Sequence, residues 1–201
     1  NYENQLGNIN QKFENKIDKI QSGDELLPGV LKLIKVFMLF TLGLSSSLAA
    51  QQCYQEVATS DDTDRFVINI DGTVSDTKTG LMWQRCNYGQ VYNSETNRCD
   101  GDTQPLNWQA SLKGAFNDTS AGYNDWQVPS IKELASIVDH RCTEPSINVG
   151  VFLATQSQNY WSNTSGISNI NSAWVYQFAS GLNSLHAKTS NVYLRLVRYE
   201  K

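Results

Sequence analysis

Apolar and polar residues first alternate at RFVINIDGTVSD. Phe66, Ile68 and Ile70 recur at every second position, the chain turns at Asp71-Gly72, and Val74 resumes the pattern. Period-two alternation interrupted by Asp-Gly predicts a β-hairpin. GLMWQRC, after the DTKTG turn, predicts a second, more buried strand. The period then lengthens. Asn107 caps a helix predicted from Trp108, with Trp108, Leu112, Ala115 and Phe116 on one face. A second helix starts inside GYNDWQVPSIKEL, where Ser130 and Glu133 make an S-x-x-E capping box and Ile131, Leu134, Ala135 and Val138 form the apolar stripe. Pro129 keeps Val128 extended, so the chain enters this helix from an extended segment. Helix initiation and core packing account for most of the motif, leaving Asp125 and Trp126 as residues that could face a ligand.

From Gln156 onward the chain is rich in Asn, Ser, Tyr and Trp and poor in acids. Buried strands are predicted through Tyr160-Trp161, Ala173 to Phe178 and Val192 to Val197, joined by polar loops at 163 to 172 and 179 to 191. Asn and Ser suit turns because their side chains bond the local backbone. With Tyr, Trp and Gly they are also the residues that binding loops favour. The candidate ligand-binding residues are therefore Asn163, Ser168, Asn169, Asn171, Ser172, Asn183, Ser184, His186 and Asn191. Trp83, Trp126, Pro129, Ser130, Glu133, Trp161 and Trp174 are assigned structural roles.

The first fifty residues follow another logic. Lys32 and Lys35 precede the apolar VFMLFTLGL and the small residues SSSLAA, the pattern of a secretory signal with cleavage after Ala49 or Ala50. The run is too short for a comfortable membrane span, so no stable insertion is expected after cleavage. Residues 1–28 are polar and are expected to be an upstream extension or a mis-set start. Leu6, Ile9, Phe13, Ile17 and Ile20 nevertheless recur at helical steps. The expected organisation is thus an extension at 1–28, a signal peptide at 29–50, a mature N-terminal segment at 51–64 and one domain at 65–199.

Charge and cysteines narrow the function. A net charge of -4 and no Lys/Arg cluster remove the electrostatic footprint of nucleic-acid binding. All four cysteines lie beyond the signal, and an even count in an exported chain implies two disulfides. Three pairings are open. The favoured one joins Cys86 to Cys99 across a polar loop and Cys53 to Cys142, tying the mature N-terminus to the end of a helix. The rival, a metal site on Cys142, Asp139 and His140, lacks a C-x-x-C, so no metal or other cofactor is expected. Asp61, Asp62, Asp64 and Asp71 cluster around the first hairpin but without the regular oxygen-ligand spacing of a calcium loop. No nucleophile elbow, H-E-x-x-H or Gly-rich phosphate loop occurs, and no enzyme is expected.

DGTVSDTKTGLMWQRC, GYNDWQVPSIKELASIVD, YWSNTS, AWVYQF and YLRLVR occur in an order that resembles a bacterial domain. Once called DUF1566, it is now named after the C-terminal domain of the Legionella collagen-like adhesin. The resemblance spans roughly residues 65–199. It implies an exported α+β domain similar to C-type lectins and formylglycine-generating enzymes, with two main helices on antiparallel strands and paired N- and C-terminal strands. It also implies an adhesin-like role, binding a glycan (sulfated polysaccharide for the namesake) or a surface protein, in the periplasm, at the cell surface or secreted. An envelope enzyme or a structural subunit of a surface assembly is the alternative. This chain has no collagen-like Gly-X-Y repeat. Its late basic residues are Lys188, Arg195, Arg198 and Lys201, and Arg195 and Arg198 read as plain strand surface.

Overall fold

The computed structural model of the chain describes residues 11, 12, 15, 18, 50–54 and 63–200. Contacts divide the chain into Asn1–Leu48 and Ala49–Lys201. In the first unit, Gln11, Lys12, Asn15 and Asp18 are helical and exposed. The apolar positions of the predicted N-terminal helix, the predicted signal sequence up to Ala49, and Asp61 and Asp62 lie outside the described residues.

The second unit is mostly β, with antiparallel sheets and two short α-helices among its described residues. A four-stranded sheet contains β2 (Phe66–Ile68), β3 (Thr73–Asp76), β4 (Leu81–Gln84) and β11 (Val197–Tyr199) in the order β11-β4-β3-β2. A three-stranded sheet holds β8 (Asn159–Ser165), β9 (Ser172–Gln177) and β10 (Leu182–Ala187) in the order β10-β9-β8. Two-stranded ladders pair β1 (Gln52–Cys53) with β7 (Cys142–Thr143) and β5 (Val91–Asn93) with β6 (Arg98–Asp100).

The first hairpin forms where the alternation placed it. Asp71 Oδ1 accepts from Thr73 N and Thr73 Oγ1, closing the turn through a local side-chain bond. Gly72 has φ of 84° and sits where a Cβ would lie 2.5 Å from the Tyr92 side chain, so both backbone and space demand glycine. Strand β2 stops at Ile68, and Asn69 N already donates to Thr73 O; Ile70, the last of the alternating set, therefore lies in the turn and is 91% exposed.

Strand β4 is buried on both faces. Leu81 and Trp83 join a core with Val74, Leu134, Phe152, Tyr160 and Tyr176, while Met82 joins another with Trp126, Val128, Trp161, Val175 and Leu196. Strand β9 divides likewise, Val175 to one cluster and Tyr176 to the other. Two-sided burial explains why these segments read as continuous apolar runs.

Helix α1 (Trp108–Phe116) is capped by Asn107, whose side chain accepts from Ala110 N. Phe116, expected on one face with Trp108, Leu112 and Ala115, is 82% exposed. Eight residues beyond Trp108, at about 100° per residue, it lies roughly 90° around from the stripe centred on Trp108 and Ala115. Helix α2 (Ile131–Ser136) begins with the complete capping box: Ser130 accepts from Glu133 N, and Glu133 Oε2 accepts from Ser130 N at 2.6 Å. Leu134 is fully buried, and Ala135, expected in the stripe, is exposed. Ser130→Ala should cost about 1 kcal/mol, the usual loss of an N-cap. A thermal scan checks this, and an unchanged midpoint would show that α2 is held by packing alone.

The expected pairing of N- and C-terminal strands does not form: β1 pairs with β7, and β2, the first strand of the predicted domain, shares a sheet with β11 but lies at its opposite edge. Strands β2, β3 and β4 are consecutive hairpin partners, so the free edge of β4 is what receives β11, with Val197 opposite Trp83. The segment predicted as a strand from Val192 to Val197 is buried but mostly irregular. It is held by single bridges of Val192 to Leu106, Tyr193 to Tyr160 and Val197 to Gln127.

The disulfides are Cys53–Cys142 and Cys86–Cys99. Cys53 and Cys142 stand opposite each other in the β1–β7 ladder, on a short strand after α2.

Candidate binding face

The late polar segment is built around β9. Phe178 N donates to Gln158 O and Gly166 N to Ser172 O, so the even-numbered residues of β9 bond toward β8. On the other edge, Lys188 N donates to Asn171 O, setting the phase with β10. The far end of β8 is pinned from several sides. Asn163 N donates to Pro129 O, Trp108 Nε1 to Ser162 O at 2.8 Å, and Ile131 N to Thr164 Oγ1 at 3.1 Å.

Between β8 and β9 the chain makes a tight loop. Ser172 N donates to Asn169 O, and Asn171 N to Asn169 Oδ1 at 3.0 Å. A Cβ on Gly166 would lie 2.8 Å from Asn169 O, so the loop closes only over glycine. Ser168, Asn169 and Asn171 are exposed on it, with Ile167 and Ile170 exposed beside them. Ser172 is buried as the first residue of β9. Asn163 on β8 and Asn191 after β10 are exposed, and among the described residues no hydrogen bond uses the side chains of Asn163, Asn171 or Asn191.

The predicted loop at 179 to 191 is instead mostly a strand. Asn183, Ser184 and His186 lie on β10, in unbroken register with Tyr176, Val175 and Ala173. Alternation along a strand puts Asn183 on one face and Ser184 and His186 on the other. Asn159 Nδ2 lies 3.1 Å from His186 Nε2. The nine candidates therefore do not converge on one surface: Ser168, Asn169 and Asn171 share one loop, whereas the β10 residues divide between two faces. Asn and Ser in a run with no apolar alternation concealed this strand.

Charge separates this region from the rest. No Asp, Glu, Lys or Arg occurs between Glu144 and Lys188, so the three-stranded sheet and its connections carry no fixed charge. Lys188 is half-buried, with Nζ 4.1 Å from the centre of the Trp108 ring and 2.8 Å from Ser165 Oγ. Arg195 and Arg198, read from sequence as strand surface, are both buried. Arg198 Nε meets Asp125 Oδ1 at 2.6 Å, and its guanidinium lies over the Tyr123 ring. Asp125 is thereby paired, and Trp126 is buried with Nε1 donating to Ser120 O.

Arg195 is the centre of a neutral network. It donates to Gln84 O and Arg85 O through Nη1, and to Asn87 Oδ1, Leu153 O and Thr155 Oγ1 through Nη2. Tyr160 adds a 2.7 Å bond to Asn87 Oδ1. Burial pulls the Arg195 guanidinium down to about 10 and pushes the Tyr160 phenol up to about 12, with Arg195 opposing part of that rise. Trp83 and Trp161 are fully enclosed, Trp161 donating to Leu106 O, whereas Trp174 and Ser130 are half-buried and Pro129 is buried.

The geometry defines a class of protein: a disulfide-bonded, mostly β domain that buries Arg85, Arg195 and Arg198 and presents an uncharged polar sheet edge and loop. The chain belongs to the Lcl C-terminal domain family, whose model matches residues 72–198. This is an adhesin-like, non-enzymatic domain family. Short similarities of another kind also occur. A 37-residue segment is 54% identical to the DNA-directed RNA polymerase subunit beta of Rhizorhabdus wittichii, covering 18% of this chain and 2% of that subunit. A 30-residue segment is 57% identical to the same subunit of Caulobacter vibrioides, covering 15% of this chain and 2% of that one. The chain spans about 2% of the length of these curated relatives, and no polymerase property is carried over from them.

Proposed function

We propose that this chain is an exported, non-catalytic binding domain of adhesin type that takes an uncharged ligand, a neutral glycan or a protein surface, on the loop between β8 and β9 and the turn after β10. The observation that carries this reading is the exposed Asn and Ser side chains, several without partners of their own, on a loop with no fixed charge and a turn whose one charge, Lys188, is held against Trp108 and Ser165. Amide side chains supply both donors and acceptors, which suits hydroxyl-rich ligands. A sulfated polysaccharide is the less favoured ligand, because a polyanion calls for exposed Lys and Arg, and Lys188, Arg195 and Arg198 are engaged elsewhere. Two disulfides, together with the signal-like segment at 29–50, support export to the periplasm, the surface or the medium. No helix among the described residues is long and apolar enough to cross a membrane. The C-type-lectin-like architecture implied by the family resemblance is part of the same proposal.

The test is a glycan array that includes sulfated polysaccharides, probed with the purified protein at physiological salt, with and without calcium. Neutral glycans are expected to bind. Asn171→Ala with Asn191→Ala should weaken that binding tenfold or more, about 1.4 kcal/mol, without moving the melting transition. Asn169 is unsuitable for this test because its side chain holds the loop. Hits confined to sulfated glycans would overturn the neutral-ligand reading, and a blank array would direct the search to a protein partner.

A further inference from the structure

Among the described residues, strand β10 is the open edge of the three-stranded sheet. It runs six residues, LNSLHA, paired to β9 at every position from Leu182–Gln177 to Ala187–Ser172 without a bulge. Proteins ordinarily blunt such an edge with charge, proline, a bulge or a covering segment. Here the strand contains no Lys, Arg, Asp, Glu or Pro, and Leu182, Asn183, Ser184, Leu185 and Ala187 are all exposed.

Hydrogen-bond phase determines what the edge can accept. Lys188 N bonds to Asn171 O, so 188, 186, 184 and 182 direct their backbone groups toward β9. Asn183, Leu185 and Ala187 direct theirs outward. Among the described residues, only the Ala187 carbonyl of this outward set has a partner, Ser190 N.

We propose that β10 pairs antiparallel with β10 of a second copy of this chain, about a two-fold axis at Leu185, fusing two three-stranded sheets into one of six. Three observations favour a second copy as occupant. An isologous contact sets each residue against its own strand, so a charged edge would repel itself, and this edge has no fixed charge. With the axis at Leu185, Leu185 opposes Leu185 and Asn183 opposes Ala187, so all three outward residues fall in hydrogen-bonded pairs. An axis at Ser184 leaves Ala187 without a pair inside the strand. The same register brings the two Leu185 side chains together beside the β8–β9 loop. A Cβ on Gly166 of that loop would lie 3.1 Å from Leu185 Cδ2, and Ile167 and Ile170 are exposed on it. His186 lies opposite Ser184 of the other copy, so the two imidazoles do not meet.

Sedimentation equilibrium of the purified protein over micromolar to millimolar concentrations tests this. The protein is expected to dimerise, and Leu185→Lys, which opposes two ammonium groups at the axis, should weaken the dimer at least a hundredfold. Two cysteine variants keep the test independent of that substitution. Directly opposed, hydrogen-bonded residues have Cα atoms about 5.5 Å apart, within disulfide reach. Leu185→Cys should thus give a covalent dimer under mild oxidation, whereas Ser184→Cys should not. A monomer at every concentration would overturn self-pairing and leave the edge to an extended strand of another protein. Cross-linking through Ser184→Cys instead of Leu185→Cys would overturn the register.

Discussion

Arg195→Met is expected to remove about 4 kcal/mol of stability, because it strips the donor shared by Gln84 O, Arg85 O, Leu153 O and Thr155 Oγ1. Each buried acceptor left without a partner costs roughly 1 to 3 kcal/mol, and two or three orphaned in this way account for the total. Asn87 Oδ1 is spared, since Tyr160 also donates to it. The methionine restores side-chain length but no hydrogen bond. Arg195→Lys should recover only part of the loss: one ammonium group cannot copy the planar fork that reaches Gln84 and Arg85 through one nitrogen and Leu153 and Thr155 through the other. For a domain of this size the expected drop in melting temperature is about 8 to 16 °C. Denaturant titration of both variants is the check, and a loss below about 1 kcal/mol for Arg195→Met would mean that the network contributes little.

Replacing Cys53 and Cys142 together by Ser should destabilise the domain more than the same change at Cys86 and Cys99. The first bridge spans 89 residues and the second 13. Loop-closure entropy gives about 4.5 kcal/mol for the first and about 3 kcal/mol for the second. Denaturation of the two double variants under non-reducing conditions measures the difference. Equal losses, or the reverse order, would show that the short loop holds folded-state contacts beyond what chain entropy supplies.

The sequence showed what is encoded locally. Asp71-Gly72 turns because an Asx side chain and a positive φ are both met within three residues. The capping box at Ser130 and Glu133 lies within one helical turn. The cysteine pairing was readable because one loop is short and polar and the other bridge joins the remaining two. What failed depends on contacts made far along the chain. Arg195 and Arg198 looked like strand surface because sequence alone places neither the carbonyls of residues 84, 85 and 153 around one nor Asp125 beside the other. Strand β10 looked like loop because its Asn and Ser residues sit on an exposed edge, where burial imposes no apolar alternation. The lack of charge between Glu144 and Lys188 is legible in the sequence, but only the structure gathers residues 159–187 of it into a single sheet.

That neutrality has a kinetic meaning. A ligand binding as proposed would meet no fixed charge on β8, β9 and β10, so long-range attraction would do little to guide or hasten its arrival. Association on this surface belongs to the unsteered regime, about 10⁵ to 10⁶ M⁻¹s⁻¹ for a protein partner, and changes little with ionic strength. Residence time then has to come from close packing and hydrogen bonds made after contact.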